Sequence, residues 1–305
     1  MRSIALANQK GGVGKTTSTA NLGASLALMG RRVLLVDIDP QANLTTHFGL
    51  CVGEDQPSIY DVLMDSTPPE KAVMTTATAG LDLIPSEINL AGAEVELVGV
   101  VGRETALRGA MRGFMANYDY VLFDCPPSLG LLTLNAMTTV KEIFIPIQTE
   151  FFALQGMSKL MSTVELVRKR LNPELRVSGI IACQYDSRTN LSAEVLANIK
   201  EFFPGKLFKT VVHRNVKLAE SPSHGEPIAV YARASRGNED YMALAREVEG
   251  VAEPAGQAAA PAQGTESHPQ AQAAGSQQDE AACAQEAGTE PTAAEAAPGA
   301  GPQGA

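Results

Sequence analysis

Along residues 1–250, short apolar runs alternate with longer segments of helical period. Residues 3–7 (SIALA), 32–36 (RVLLV), 81–84, 120–123 (YVLF), 142–147 and 177–183 have the length and β-branched content of buried strands. Between them, residues 16–29, 58–64, 131–140, 154–171, 191–203 and 238–249 read as helices, the first stopped by Gly30. Apolar strands alternating with helices predict an α/β fold: a mostly parallel, twisted sheet with helices on both faces. Ligands of such sheets bind beyond the carboxyl ends of the strands. The chemistry is therefore expected along one edge.

The pattern stops near residue 250. From 251 to 305 the chain is almost entirely Ala, Gly, Pro, Gln, Glu, Ser and Thr, with one valine and no aromatic residue. Such a segment cannot bury enough apolar surface to offset its ordering entropy. The expected organisation is a folded domain over 1–250 and a disordered, low-complexity acidic tail over 251–305.

Charge changes the picture only after division. The chain of 305 residues carries a formal net charge of −10, and Glu253, Glu266, Asp279, Glu280, Glu286, Glu290 and Glu295 all lie in the tail, which has no Lys or Arg. Setting these seven aside leaves −3 for residues 1–250, so the total does not argue against a polyanionic partner. Cys51, Cys125, Cys183 and Cys283 form no C-x-x-C pair, which favours reduced thiols over a metal or cluster site. No segment has the length of a membrane span, and MRSIALANQ lacks the apolar stretch of a secretory signal. Strand-like residues begin almost at once, leaving little room for an N-terminal DNA-binding domain.

The candidate chemistry begins after the first strand, at QKGGVGKTT (residues 9–17). Gly14, Lys15 and Thr16 complete a phosphate-loop pattern whose first glycine would fall at Gln9. Around Val13, the N–H groups of Gly11, Gly12 and Gly14 can close on phosphate oxygens, and the helix that follows points its positive end at them. Lys15 is expected to reach the β- and γ-phosphates, and the Thr16 hydroxyl to coordinate Mg²⁺. Asp124 ends an apolar strand, where it can hold Mg²⁺ through a water or through Thr16, or simply cap the next turn. Asp37 and Asp39 follow the second strand on the same side of an extended segment. One can sit near Mg²⁺ while the other orients or deprotonates a water, Asp39 being the further out; an Asx-Pro turn is the alternative.

KGGVGKTT, VDIDPQAN, DCPPSLG and RNVKLAESPSHGEPI, in this order, resemble the ParA/MinD group of deviant Walker A ATPases, and within it the ParA/Soj partition branch. The resemblance covers about residues 2–248. It implies a P-loop fold that binds ATP and Mg²⁺ through residues 10–17, Asp39 and Asp124, with Lys10, Lys15 and Asp39 as catalytic residues. In this group a signature lysine, here Lys10, reaches across an ATP-sandwich homodimer to the partner's nucleotide. The resemblance further implies a non-specific DNA face that includes Arg188 and Lys217, with Arg214 nearby, a ParB-type partner protein, and a cytoplasmic, nucleoid-associated location. His213 and Asn215 fall in the region that lies near the adenine, although the family commonly has proline where this chain has His213. Relatives that position protein arrays, microcompartments or cellulose-synthesis machinery share the same catalytic residues and stay open as alternatives. A MinD-like membrane role needs an amphipathic C-terminal helix that the tail lacks. An iron-protein role needs cluster cysteines from both subunits; Cys125 follows Asp124, and no second cysteine is placed by the sequence to join it.

Overall fold

The computed structural model describes residues 1–150 and 156–250. Within these residues eight strands form one sheet: β1 (Arg2–Leu6), β2 (Val33–Asp37), β3 (Met74–Thr75), β4 (Leu81–Ile84), β5 (Tyr120–Asp124), β6 (Glu142–Gln148), β7 (Arg176–Tyr185) and β8 (Leu207–His213). Their order is β3-β4-β2-β5-β1-β6-β7-β8. The β3–β4 pair is antiparallel and all the other pairings are parallel.

Among the described residues, twelve α-helices cover the sheet: α1 (Lys15–Leu28), α2 (Asn43–His47), α3 (Ile59–Leu63), α4 (Pro69–Ala72), α5 (Leu90–Glu96), α6 (Ala106–Ala110), α7 (Leu131–Thr139), α8 (Met157–Arg170), α9 (Asn190–Phe202), α10 (Val216–Glu220), α11 (Ile228–Tyr231) and α12 (Arg236–Glu249). Strand alternation sorts them into two cores. Ala5, Val36, Phe123 and Ile145 pack with α3 to α9. Ile4, Leu6, Leu35, Leu122 and Phe144 pack with α1, α2 and α10 to α12. Because every central strand is buried on both faces, its polar groups gather at its ends, and the carboxyl ends of β1, β2 and β5 hold the glycine loop, Asp37 and Asp124.

The doubly covered parallel sheet agrees with the sequence reading. Boundaries move slightly: α1 begins at Lys15, and the expected 154–171 helix is Met157–Arg170, residues 154 and 155 lying outside the described residues. Two strands carry no clear sequence signal. β3 has two residues, and β8 is an edge strand of mixed exposure with a polar centre. β8 nevertheless packs well, since Gly179 of β7 leaves room for Phe208, which meets Phe144 edge-on at 5.1 Å. The expected tail, 251–305, falls outside the described residues. Among these, no helix is long and apolar enough to cross a membrane.

His47 gives the fold a pH dependence. It is 2% exposed, its Nε2 has no hydrogen-bond partner, and burial holds its pKa down to about 4. The unfolded ring titrates near 6.5, so between these values the unfolded chain binds the extra proton. Stability from the neutral ring is complete above about pH 6.5 and is lost as pH falls through about 4, an effect on the order of 3 kcal/mol. Relative to the wild type, His47→Leu is expected to gain stability as pH is lowered from 7 to 4. Urea midpoints of both proteins across that range test this; a constant difference rules it out.

Candidate functional site

The loop after β1 is built by its neighbours. The Asn8 side chain donates to the Pro146 carbonyl at 2.7 Å and accepts from the Lys10 N–H at 3.0 Å. Gly12 and Gly14 take φ values of 71° and 93°, a region that a side chain would strain, whereas Gly11 does not need it. Gly14 precedes α1 with no side-chain cap, so the first N–H groups of that 14-residue helix stay open toward the loop. Lys15 is buried and donates to the Lys10 carbonyl at 3.4 Å.

Asp124 and Asp39 face this buried cation, and Asp37 adjoins Asp124. Asp37 and Asp124 are register partners on β2 and β5, and both are fully buried. Burial, then the neighbouring Asp37 charge, pushes the Asp124 pKa up to about 8, while the Thr16 hydroxyl and Lys15 pull it back. Burial likewise raises Asp37 to about 6, against hydrogen bonds from Thr45 and Asp39. The Lys15 pKa falls, because burial outweighs the attraction of Asp124, Cys125 and Asp39. The cluster is short of positive charge.

The carboxylates differ in what they already hold. Asp37 Oδ2 accepts from the N–H and hydroxyl of Thr45 at 2.9 and 2.8 Å, and Oδ1 accepts from the Asp39 N–H. Asp39 is 7% exposed and accepts through Oδ1 from the Gln41 N–H at 3.0 Å. Asp124 Oδ1 accepts from Thr19 at 3.2 Å, while its buried Oδ2 has no partner. An orphaned carboxylate oxygen beside the Thr16 hydroxyl fits a divalent cation, whose binding displaces a proton. Among the described residues, no three His, Cys, Asp or Glu side chains converge as a metal cage. A Mg²⁺ carried by phosphate needs none, since it keeps waters and takes few protein ligands.

Beside the loop lies a cavity of about 330 Å³ lined by Gly14, Thr17, Cys183, Val212, Leu218 and Tyr241, with His213 and Asn215 at its wall. The His213 ring Nδ1 and the Asp240 carboxylate lie 2.9 Å apart, and the Asn215 side chain accepts from the Lys217 N–H to cap α10. Cys183, Val212 and Tyr241 were not singled out from sequence. Their signal is tertiary: Ser18 of α1 lies 3.1 Å from the Tyr241 hydroxyl and 3.6 Å from Cys183 Sγ.

The three basic residues converge only in part. Arg188 and Arg214 line one cleft beside Tyr185 and His213, and Lys217 lies on α10 next to it. Arg188 donates twice to Asp186, at 2.9 and 2.7 Å, and Lys217 donates to Glu220 at 2.7 Å. Lys10 Nζ sits 3.3 Å from Glu150.

Comparison with known proteins adds three findings. Residues 1–177 match the family described as AAA domain. The chain is 50% identical over 245 residues to the sporulation initiation inhibitor protein Soj of Bacillus subtilis, covering 80% of this chain and 97% of that protein. It is 46% identical over 250 residues to the chromosome partitioning protein ParA of Caulobacter vibrioides, covering 81% and 94%. Among solved structures, it is similar to cobyrinic acid a,c-diamide synthase from Mycobacterium smegmatis with bound ATP analog and magnesium. That likeness has a TM-score of 0.72 at 36% identity and covers 82% of this chain and 94% of the other.

Proposed function

This chain belongs to the Soj/ParA family of chromosome-partitioning proteins, and on that premise we propose that it is a DNA-segregation ATPase switched by ATP-driven homodimerisation. The observation that carries the reading is the gathering of Lys15, Asp39 and Asp124 around an open helix N-terminus at one sheet edge. The solved Mycobacterium smegmatis protein, 36% identical, holds an ATP analog and magnesium, which supports ATP and Mg²⁺ as ligands here.

In this reading the loop N–H groups and the first turn of α1 hold the phosphates, and Lys15 balances their charge. Thr16 and Asp124 hold Mg²⁺, which neutralises phosphate charge when bound. Asp37 braces the turn through Thr45, so Asp39 is left to orient the attacking water. The cavity beside Thr17, His213 and Asn215 takes the base. Lys10 serves the partner's nucleotide and couples binding to dimerisation. The dimer presents Arg188, Arg214 and Lys217 to DNA phosphates, displacing Arg188 from Asp186 and Lys217 from Glu220, and a ParB-type protein stimulates hydrolysis and release. In this reading the protein works in the cytoplasm, on the nucleoid.

ATP turnover with DNA and the ParB-type partner, each alone and together, tests the reading. The two together are expected to stimulate more than the product of their separate effects, and no synergy would move the protein to another cargo. In sizing and DNA-retention assays with ATP, Arg188→Glu with Lys217→Glu is expected to dimerise yet lose about tenfold or more of its DNA retention, since both contacts are with phosphate in this reading. Normal retention by this variant would place the DNA face elsewhere.

A further inference from the structure

The carbonyl of Gly12 accepts two side-chain amides. Gln148 Nε2 and Gln184 Nε2 each donate to it at 3.0 Å. The two glutamines stand at the ends of adjacent strands, Gln148 closing β6 and Gln184 one residue before the end of β7. A carbonyl oxygen has two lone pairs and can take both.

Gln184 reaches this position at a cost. Its φ is 54°, in the left-handed region that side chains other than those of Gly, Asn and Asp avoid. The β7–β8 register slips between Ala182 and Tyr185, so Gln184 sits in a bulge. Bulges beside sites re-aim a side chain, and strain of this kind persists where the surroundings hold it in place.

We propose that Gln148 and Gln184 are positioning residues for phosphate binding: a two-amide clamp that turns the Gly12–Val13 peptide so that its N–H faces the phosphates. The proposal rests on the nucleotide site described above. A trans peptide is planar, and its C=O and N–H point in opposite directions. Pulling the Gly12 carbonyl outward toward the two strand ends therefore turns the Val13 N–H inward. With the peptide flipped, a carbonyl oxygen would face the phosphates and repel them. Gly12, at φ 71°, has the freedom to flip, and Gln9 occupies the place of the first loop glycine. The strand ends supply the restraint that the loop lacks.

ATP affinity and melting temperature of the full-length wild type, Gln148→Leu, Gln184→Gly and the double variant test the clamp. Each single variant is expected to bind ATP about fivefold more weakly, the loss of one net hydrogen bond. The double variant is expected to lose more than the two combined, because each amide backs up the other. Gln184→Gly relieves the strained φ, so its melting temperature is expected to equal or exceed the wild-type value. A general structural role gives the opposite sign. Wild-type affinity in either single variant overturns the clamp, as does weak binding accompanied by a lowered melting temperature in Gln184→Gly. A wild type that binds no ATP overturns the nucleotide reading itself, a result distinct from either.

Discussion

Asp39→Ala is expected to bind ATP as well as the wild type and to hydrolyse it about a hundredfold or more slowly, the contribution of a positioned acid–base group. The choice of Asp39 over its neighbours follows from how each carboxylate is engaged. Both oxygens of Asp37 take hydrogen bonds from Thr45 and the Asp39 peptide, so Asp37 holds the turn. Asp124 is fully buried, with one oxygen on Thr19 and the other without a partner, as the proposed cation ligand requires. Asp39 spends one oxygen on the Gln41 N–H and reaches the surface of the cluster, where a water can approach. If hydrolysis is what separates the dimer, this variant stays dimeric and DNA-bound with ATP. Single-turnover hydrolysis and ATP-dependent DNA retention check both halves. Unchanged turnover would return the water to Asp37 or Asp124. The matching Asp37→Ala change has another signature: it strands the Thr45 hydroxyl and N–H, so it is expected to lower the melting temperature as well.

What could be read from the sequence, and what could not, divides by range. The β1–loop–α1 unit and the carboxylates ending β2 and β5 were legible, because local periodicity and glycine spacing encode them within a few residues. Gln148 and Gln184 were not, since they meet Gly12 across 136 and 172 positions with no local pattern linking them. Thr19 and Thr45 were missed for a related reason. Each sits in a stretch of ordinary helical composition; Thr45 turns back on Asp37 eight positions earlier, and Thr19 of α1 meets Asp124 only because β1 pairs with β5. β8 escaped because an edge strand half open to solvent keeps no clean alternation. The basic positions could be named from sequence, but their partners Asp186 and Glu220 could not. Those acids make the proposed DNA face less positive than a count of Arg188, Arg214 and Lys217 implies.

Lys10→Ala is expected to keep ATP binding while losing ATP-dependent dimerisation and about a thousandfold of turnover, the scale of a cation supplied in trans to a phosphoryl transition state. Two observations separate Lys10 from Lys15. Lys15 is buried beside Asp124 and turns inward to the loop, which is why we assign it to its own subunit's phosphates. Lys10 has its backbone fixed by Asn8, but its ammonium lies outside the cluster, against the exposed Glu150. An exposed pair of this kind is worth little and releases its lysine readily to a stronger anion. Mixing the two inactive variants settles the direction of action. In a Lys10→Ala/Asp39→Ala heterodimer, one site has its own Asp39 and receives Lys10 from the other subunit. Hydrolysis is therefore expected to reappear on mixing, in proportion to the heterodimers formed. If Lys10 serves its own subunit, that site has no lysine, the other has no Asp39, and the mixture stays as inactive as its parts.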